Sequence, residues 1–149
     1  MVEEPDIAII EALLGSDLYR QSLRLREAIL PRPLGLMLAE EELADDALRQ
    51  HFCAISYGVV IGTVSLKPLD EGTLRLKQMA VAKNRRREGT GARLLAYAED
   101  WARGAGFLLM VLNARISSES FYARFNYVAE GEPFDENTVR HIKMTKRLA

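Results

Sequence analysis

Residues Val81 to Gly106 read VAKNRRREGTGARLLAYAEDWARGAG, and their order decides how the rest of the chain is read. A strand end runs into Arg85, Arg86 and Arg87, then into Gly89-Thr90-Gly91, then into a helical pattern. Leu94, Leu95, Ala98, Trp101 and Ala102 fall on one face of that helix, and Gly104 and Gly106 end it. A strand entering a helix through glycines presents unpaired N–H groups at the positive end of the helix dipole. Without a Cβ, an anion reaches the backbone closely. The arginines add donors for phosphate oxygens. The Gly-Lys-Ser/Thr ending of a P-loop is absent, as are the third glycine and early βαβ unit of a dinucleotide fold. The stretch therefore reads as a cradle for a pyrophosphate-bearing ligand of another kind.

Around this cradle the 149 residues suit one domain, 1–149, with a single core. "DIAIIEAL" reads as a first strand and Asp17 to Leu30 as a helix that stops before Pro31 and Pro33. Glu40 to Gln50 reads as a short acidic helix. "HFCAISY" and "VVIGTVSLKPL" are strands joined through Gly58, and "GTLRLKQMAV" alternates as a third. After the central helix, the apolar run "FLLMVLNA" has the form of a strand covered on both faces. A short helix near Ser118 to Phe125, a strand near Tyr127 to Glu132, a loop "PFDENTV" and a last strand "RHIKMTKRL" complete the chain. The pattern is α/β with a mixed sheet of six or seven strands.

Lys and Arg total 20 against 21 Asp and Glu, a formal net charge of -1, so no global field draws nucleic acid or an anionic membrane. Any basic site is local. The one cysteine, Cys53, lies in an apolar run and reads as core; neither a disulfide framework nor a multi-cysteine zinc site is expected. No metal is expected from His51 and His141, which lack ligand-spaced neighbours. The start, "MVEEPDIAII", is acidic where a secretory leader is basic, and no apolar stretch has the length of a membrane span. The expectation is a cytoplasmic protein.

Arg86-Arg87-Glu88-Gly89-Thr90-Gly91 resembles the Arg/Gln-x-x-Gly-x-Gly/Ala motif of the GNAT N-acetyltransferase superfamily, and its surroundings match too. "LKQMAV" resembles the strand that pairs with the pantetheine arm, "LNAR" the strand after the helix, and "FYARFNY" the family's Phe-Tyr-x-x-x-Gly-Phe. The match spans Leu74 to Leu148. Asn126 stands where the family has glycine, which a left-handed backbone tolerates. The resemblance implies a mostly antiparallel sheet flanked by about four helices, and acetyl-coenzyme A as cosubstrate. It assigns Arg86, Arg87, Glu88, Gly89, Thr90, Gly91 and Ala92 to the phosphates, with Met79, Ala80, Val81 and Asn113 along the arm. Homodimers are common in the superfamily, so a homodimer is implied as well.

Acetyl transfer to an amine needs a positioned thioester, a free amine lone pair, donors for the oxyanion and a proton for the leaving thiolate. By the resemblance, the amides of Met79 and Val81 polarise the carbonyl and Tyr122 serves the thiolate. Many members carry a glutamate base on the strand before the loop; here that strand offers Arg75, Lys77 and Gln78. "GEPFDENTVRHIKM" is similar to a GNAT branch that includes glyphosate N-acetyltransferase, whose Pro-His-Ile-x-Met histidine is the base, which points to His141. An imidazole, titrating near neutrality, suits that task. In the same branch "LREAIL" corresponds to a substrate-binding arginine at Arg26, with Lys77 and Arg115 at two further cationic positions. Three cations in one pocket fit a carboxylate or phosphonate. The acceptor is then a small acidic amine, and the alternatives are a peptide N-terminus or lysine, or a noncatalytic coenzyme A-binding module.

Overall fold

A bulge in the fourth strand, rather than any helix, sets the shape of the molecule. The computed structural model describes residues 6–149; the acidic start, residues 1–5, lies outside them. Among the described residues there are seven strands, β1 (Ile7–Glu11), β2 (Gln50–Ser56), β3 (Val59–Pro68), β4 (Thr73–Val81), β5 (Leu109–Arg115), β6 (Val128–Glu136) and β7 (Val139–Arg147). They form one sheet in the order β1-β2-β3-β4-β5-β7-β6. Every neighbouring pair is antiparallel except β4 with β5. Four α-helices flank it among the described residues: α1 (Asp17–Ile29), α2 (Glu40–Asp45), α3 (Thr90–Gly104) and α4 (Glu119–Arg124).

Thr63 faces Ala80 and Ser65 faces Lys77, so Val64 alone opposes both Gln78 and Met79. Such a bulge bends its strand and raises its twist. Gln78 takes a left-handed φ of 58° there. β4 pairs with β5 only over Thr73 to Arg75, against Leu109 to Val111. Beyond Arg75 the two strands part, and a gap opens in the middle of the sheet.

Alternation sorts the side chains to two faces. Leu74 and Leu76 of β4 and Met110, Leu112 and Ala114 of β5 join Leu94, Leu95, Ala98 and Ala102 of α3 in the main core. On the opposite face, Leu18 and Leu25 of α1 pack against Cys53 and Val60, so Cys53 is a core residue as expected. α1 starts at Ser16, whose hydroxyl accepts the Tyr19 N–H at 3.1 Å. It ends before Pro31. α4 ends through Asn126 at φ 71°, the left-handed angle its sequence position required.

Three expectations need correction. The "PFDENTV" loop is mostly strand: β6 runs on to Glu136, leaving only Asn137 and Thr138 to turn the hairpin. Its residues are almost all exposed and carry no apolar alternation, the signal that marks a half-buried strand. The Glu40 to Gln50 helix breaks after Asp45 into a 3-10 turn, Asp46–Leu48, because Arg49 turns extended and Gln50 pairs into β2. β1 is shorter than "DIAIIEAL", ending at Glu11.

α3 lies against the sheet at Gly62. A Cβ there would sit 2.8 Å from Leu94 Cδ1 and 3.1 Å from Thr90 Cγ2. Both neighbours are fully buried and have little room to yield. Gly62→Ala is expected to cost about 1–3 kcal/mol, read as a lower denaturant midpoint with unchanged m-value.

Candidate active site

The gap between β4 and β5 opens into a cavity of about 920 Å³ that runs through the sheet from the start of α3 to the β6–β7 hairpin. Its first end is the basic loop. Arg87 and Gly89 take left-handed φ values of 68° and 81°, which turns the chain sharply into α3. No side chain caps the helix, so its first N–H groups stay available. Arg85 is a brace: its Nε donates to Glu88 at 2.7 Å and its Nη2 to Ser56 at 3.0 Å. The exposed Arg86 and Arg87 line the cavity and make no side-chain ion pair among the described residues. Thr90 Oγ1 is buried without a partner at the same place. Gly91 packs beside Phe121, whose Cζ lies 3.4 Å from the position of a Cβ. Bare N–H groups, two uncommitted guanidiniums and an orphaned hydroxyl fit a pyrophosphate.

The middle of the cavity is the parted strand. Ala82 N–H donates to Ile61 O on β3, so by alternation Val81 and Met79 turn their N–H groups toward the gap. Ala80, buried, faces Thr63 on β3. Asn113 of β5 and Ala92 of α3 also line the cavity. Tyr122 of α4 is buried, with its hydroxyl 3.9 Å from Met79 Sδ. Burial pushes its pKa up to about 12, so at neutral pH the phenol holds its proton.

The far end carries His141, which is 8% exposed. Its Nδ1 lies 2.8 Å from Val139 O. A carbonyl only accepts, so Nδ1 carries the hydrogen and the lone pair of a neutral ring sits on Nε2. Nε2 lies 3.6 Å from Glu136 Oε2. Phe134 stacks on the ring at 6.1 Å between centroids.

The three predicted cations meet different fates. Arg115 lines the cavity, and its Nη2 donates to Leu30 O at 3.2 Å. Lys77 lines it too, but with Glu42 Oε1 at 3.6 Å and Asp45 Oδ2 at 4.0 Å. Arg26 is corrected: it is 3% exposed and absent from the cavity wall. Its Nη1 is 2.8 Å from Asp46 Oδ2 and its Nε donates to Gln78 Oε1 at 3.0 Å. It ties α1 to the bulge. The counter-charges Glu42, Asp45 and Asp46 escaped the sequence reading; the i,i+4 and i,i+3 spacings of Asp45 and Asp46 to Arg49 were their local signals. Glu136, beside His141, lay in the misread loop.

Asp46 is wholly buried between Arg26 and Arg49, with the Tyr19 hydroxyl 2.5 Å from Oδ2. Burial opposes its charge, but hydrogen bonds from Arg26 and Tyr19 and the nearby cations outweigh it, and its pKa lies below the usual carboxylate range. Its contribution to stability is therefore complete above about pH 4 and is lost as pH falls through the lowered folded value. Asp46→Asn is expected to cost about 3–5 kcal/mol by leaving buried guanidiniums without their counter-charge. Urea unfolding from pH 7 to pH 3 should show part of the wild-type acid slope missing in the variant.

Comparison with known proteins agrees with this geometry. A family model described as "Acetyltransferase (GNAT) family" matches residues 16–127. A protein of Bacillus subtilis (strain 168) assigned as an acetyltransferase is 23% identical over 129 residues, covering 85% of this chain and 87% of its own. A crystal structure from Lactobacillus plantarum, of a protein assigned as an N-acetyltransferase, superposes with a TM-score of 0.83 at 25% identity, over 96% of this chain and 99% of that one. An aminoglycoside 6'-N-acetyltransferase complexed with coenzyme A gives 0.80 at 17% identity, over 95% and 97%. A GNAT structure from Elizabethkingia anophelis with acetyl-CoA bound gives 0.72 at 22% identity, over 95% and 98%. The parted strands and the bare helix start thus define an acyltransferase. The chain belongs to the GNAT acetyltransferase family.

Proposed function

We propose that this enzyme transfers the acetyl group of acetyl-CoA to the primary or secondary amine of a small acidic substrate, with His141 as base and Tyr122 as acid. Acetyl-CoA supplies the activated thioester. Arg86, Arg87 and the backbone from Gly89 to Ala92 would hold its phosphates, and the amides of Met79 and Val81, with Asn113 opposite, its arm. The observation that carries the reading is the tautomer of His141: Nδ1–H is committed to Val139 O, so the lone pair is on Nε2, in a cavity that Tyr122 also lines.

The amine nitrogen forms the amide bond as the thioester C–S bond breaks. Nε2 of His141 takes the amine proton, and Glu136 at 3.6 Å stabilises the imidazolium. The Tyr122 phenol, protonated at neutral pH, gives its proton to the departing thiolate and recovers one from solvent. The amides of Met79 and Val81 stabilise the charge on the carbonyl oxygen. Arg115 and Lys77 favour an acceptor with an anionic group, Lys77 less so because Glu42 shares its charge.

His141→Ala is expected to lower kcat by roughly 10²–10⁴-fold while the Kd for CoA, measured by calorimetry, stays within twofold. Undiminished turnover would remove His141 from the mechanism. Tyr122→Phe keeps the buried ring and should lower kcat with little change in KM for either substrate. Replacing Arg86 and Arg87 together by alanine should do the opposite, weakening CoA binding about tenfold or more and sparing kcat at saturation.

A further inference from the structure

Arg75 is the cavity-lining cation that has a buried donor without a partner among the described residues. It is the last residue of β4 to pair with β5, opposite Val111, and so stands at the vertex where the strands part. Counting by twos along β4, β5 and β7 puts its side chain on the same face as Lys77, Arg115 and His141. It lines the cavity, and its Nε is buried with no hydrogen-bond partner.

Most of its neighbours are matched by carboxylates; Arg115 has only the Leu30 carbonyl, and Arg26, off the cavity wall, keeps a buried Nη2 without a partner. Arg26 and Arg49 share Asp46, Arg49 also holds Glu42 and Asp45, Lys67 holds Asp45, and Lys77 leans on Glu42. Arg75 stands outside this network among the described residues. Across β3 it faces Lys67, a like charge that adds no support. A desolvated guanidinium donor without a partner is unfavourable, and an anion in the cavity removes that cost.

The wall of the same cavity formed by the segment after α1 is apolar. Leu34, Leu36 and Met37 line it, and Met37 is 79% exposed. An occupant that satisfies both features carries a carboxylate on an apolar body. Resting on the acetyl-transfer reading above, we infer that Arg75 holds the carboxylate of an apolar α-amino acid acceptor, whose side chain lies on the Leu34–Met37 wall and whose amine receives the acetyl group. Arg75 is a specificity-determining residue, and its fork suits a carboxylate better than the shared charge of Lys77 does.

The test uses reaction products, so that it does not depend on turnover. CoA-loaded protein is titrated calorimetrically with N-acetyl-L-leucine and with N-acetyl-L-leucinamide, which differ in the charge. Wild type is expected to bind the carboxylate about tenfold or more tightly over the amide. Arg75→Gln should remove most of that preference, Arg115 and Lys77 keeping a remainder, with the Kd for CoA unchanged, which also reports an intact fold. Arg75→Lys, which keeps the charge but loses the fork, should retain part of it. Equal affinity of the two products for wild type, no measurable binding of either, or a preference undiminished in Arg75→Gln would overturn the proposal. Failure of the base assignment reads out separately, as full turnover in His141→Ala with the Arg75 preference intact.

Discussion

The parting of β4 from β5 after Arg75 and Val111 is the constraint on which the rest of the structure depends. A sheet that stays paired has no room for a ligand through its middle, and its amides are spent on neighbours. Here the bulge at Gln78 and Met79 bends β4 away while β3 keeps hold of its other edge. The amides of Met79 and Val81 are left facing the gap. α3 then delivers the basic loop to one mouth of the cavity, held close to the sheet because Gly62 has no side chain to keep it off.

The bend has its own anchor. Gln78 in a left-handed conformation is strained for a residue with a Cβ, and its side chain accepts from Arg26, which is itself fixed by Asp46. Tyr19 and Arg49 close on the same carboxylate. The cluster joins α1, the turn after α2 and the bulge. A buried carboxylate shared by two guanidiniums is a poor source of net stability compared with apolar packing, but it is directional, and direction is what a bulge needs. Electrostatics thus divides the cations of this face into those that shape the site and those left for a ligand. Arg26 belongs to the first group, and Arg75 to the second.

Local chemistry made much of this legible beforehand. Gly89-Thr90-Gly91 before an amphipathic helix specifies a bare helix start whatever surrounds it, since glycine conformations and helix ends are properties of a few consecutive residues. The apolar face of α3, the alternation of β4, the apolar run of β5 and the proline stop after α1 were readable for the same reason. β6 was readable only as far as Glu132: an exposed edge strand has no buried face, and Pro133 opened the stretch read as a loop. The break after Asp45 was hidden too, because the residues that stop α2 are drawn into contacts with Arg26, Lys67 and Lys77 from distant elements.

By itself, then, the sequence determined the α/β class, the anion-binding start of α3, the core position of Cys53 and the left-handed turn at Asn126, all fixed by backbone preference and burial within short windows. Only the tertiary structure decided which charges are spent. Lys77 and Arg75 are two residues apart on one strand, yet Glu42 reaches one and no carboxylate among the described residues reaches the other. Arg26 looked available in a helix and is sealed against Asp46, 20 residues on. Charge pairing acts over a few ångströms of space, and spacing along the chain does not encode which side chains will share them.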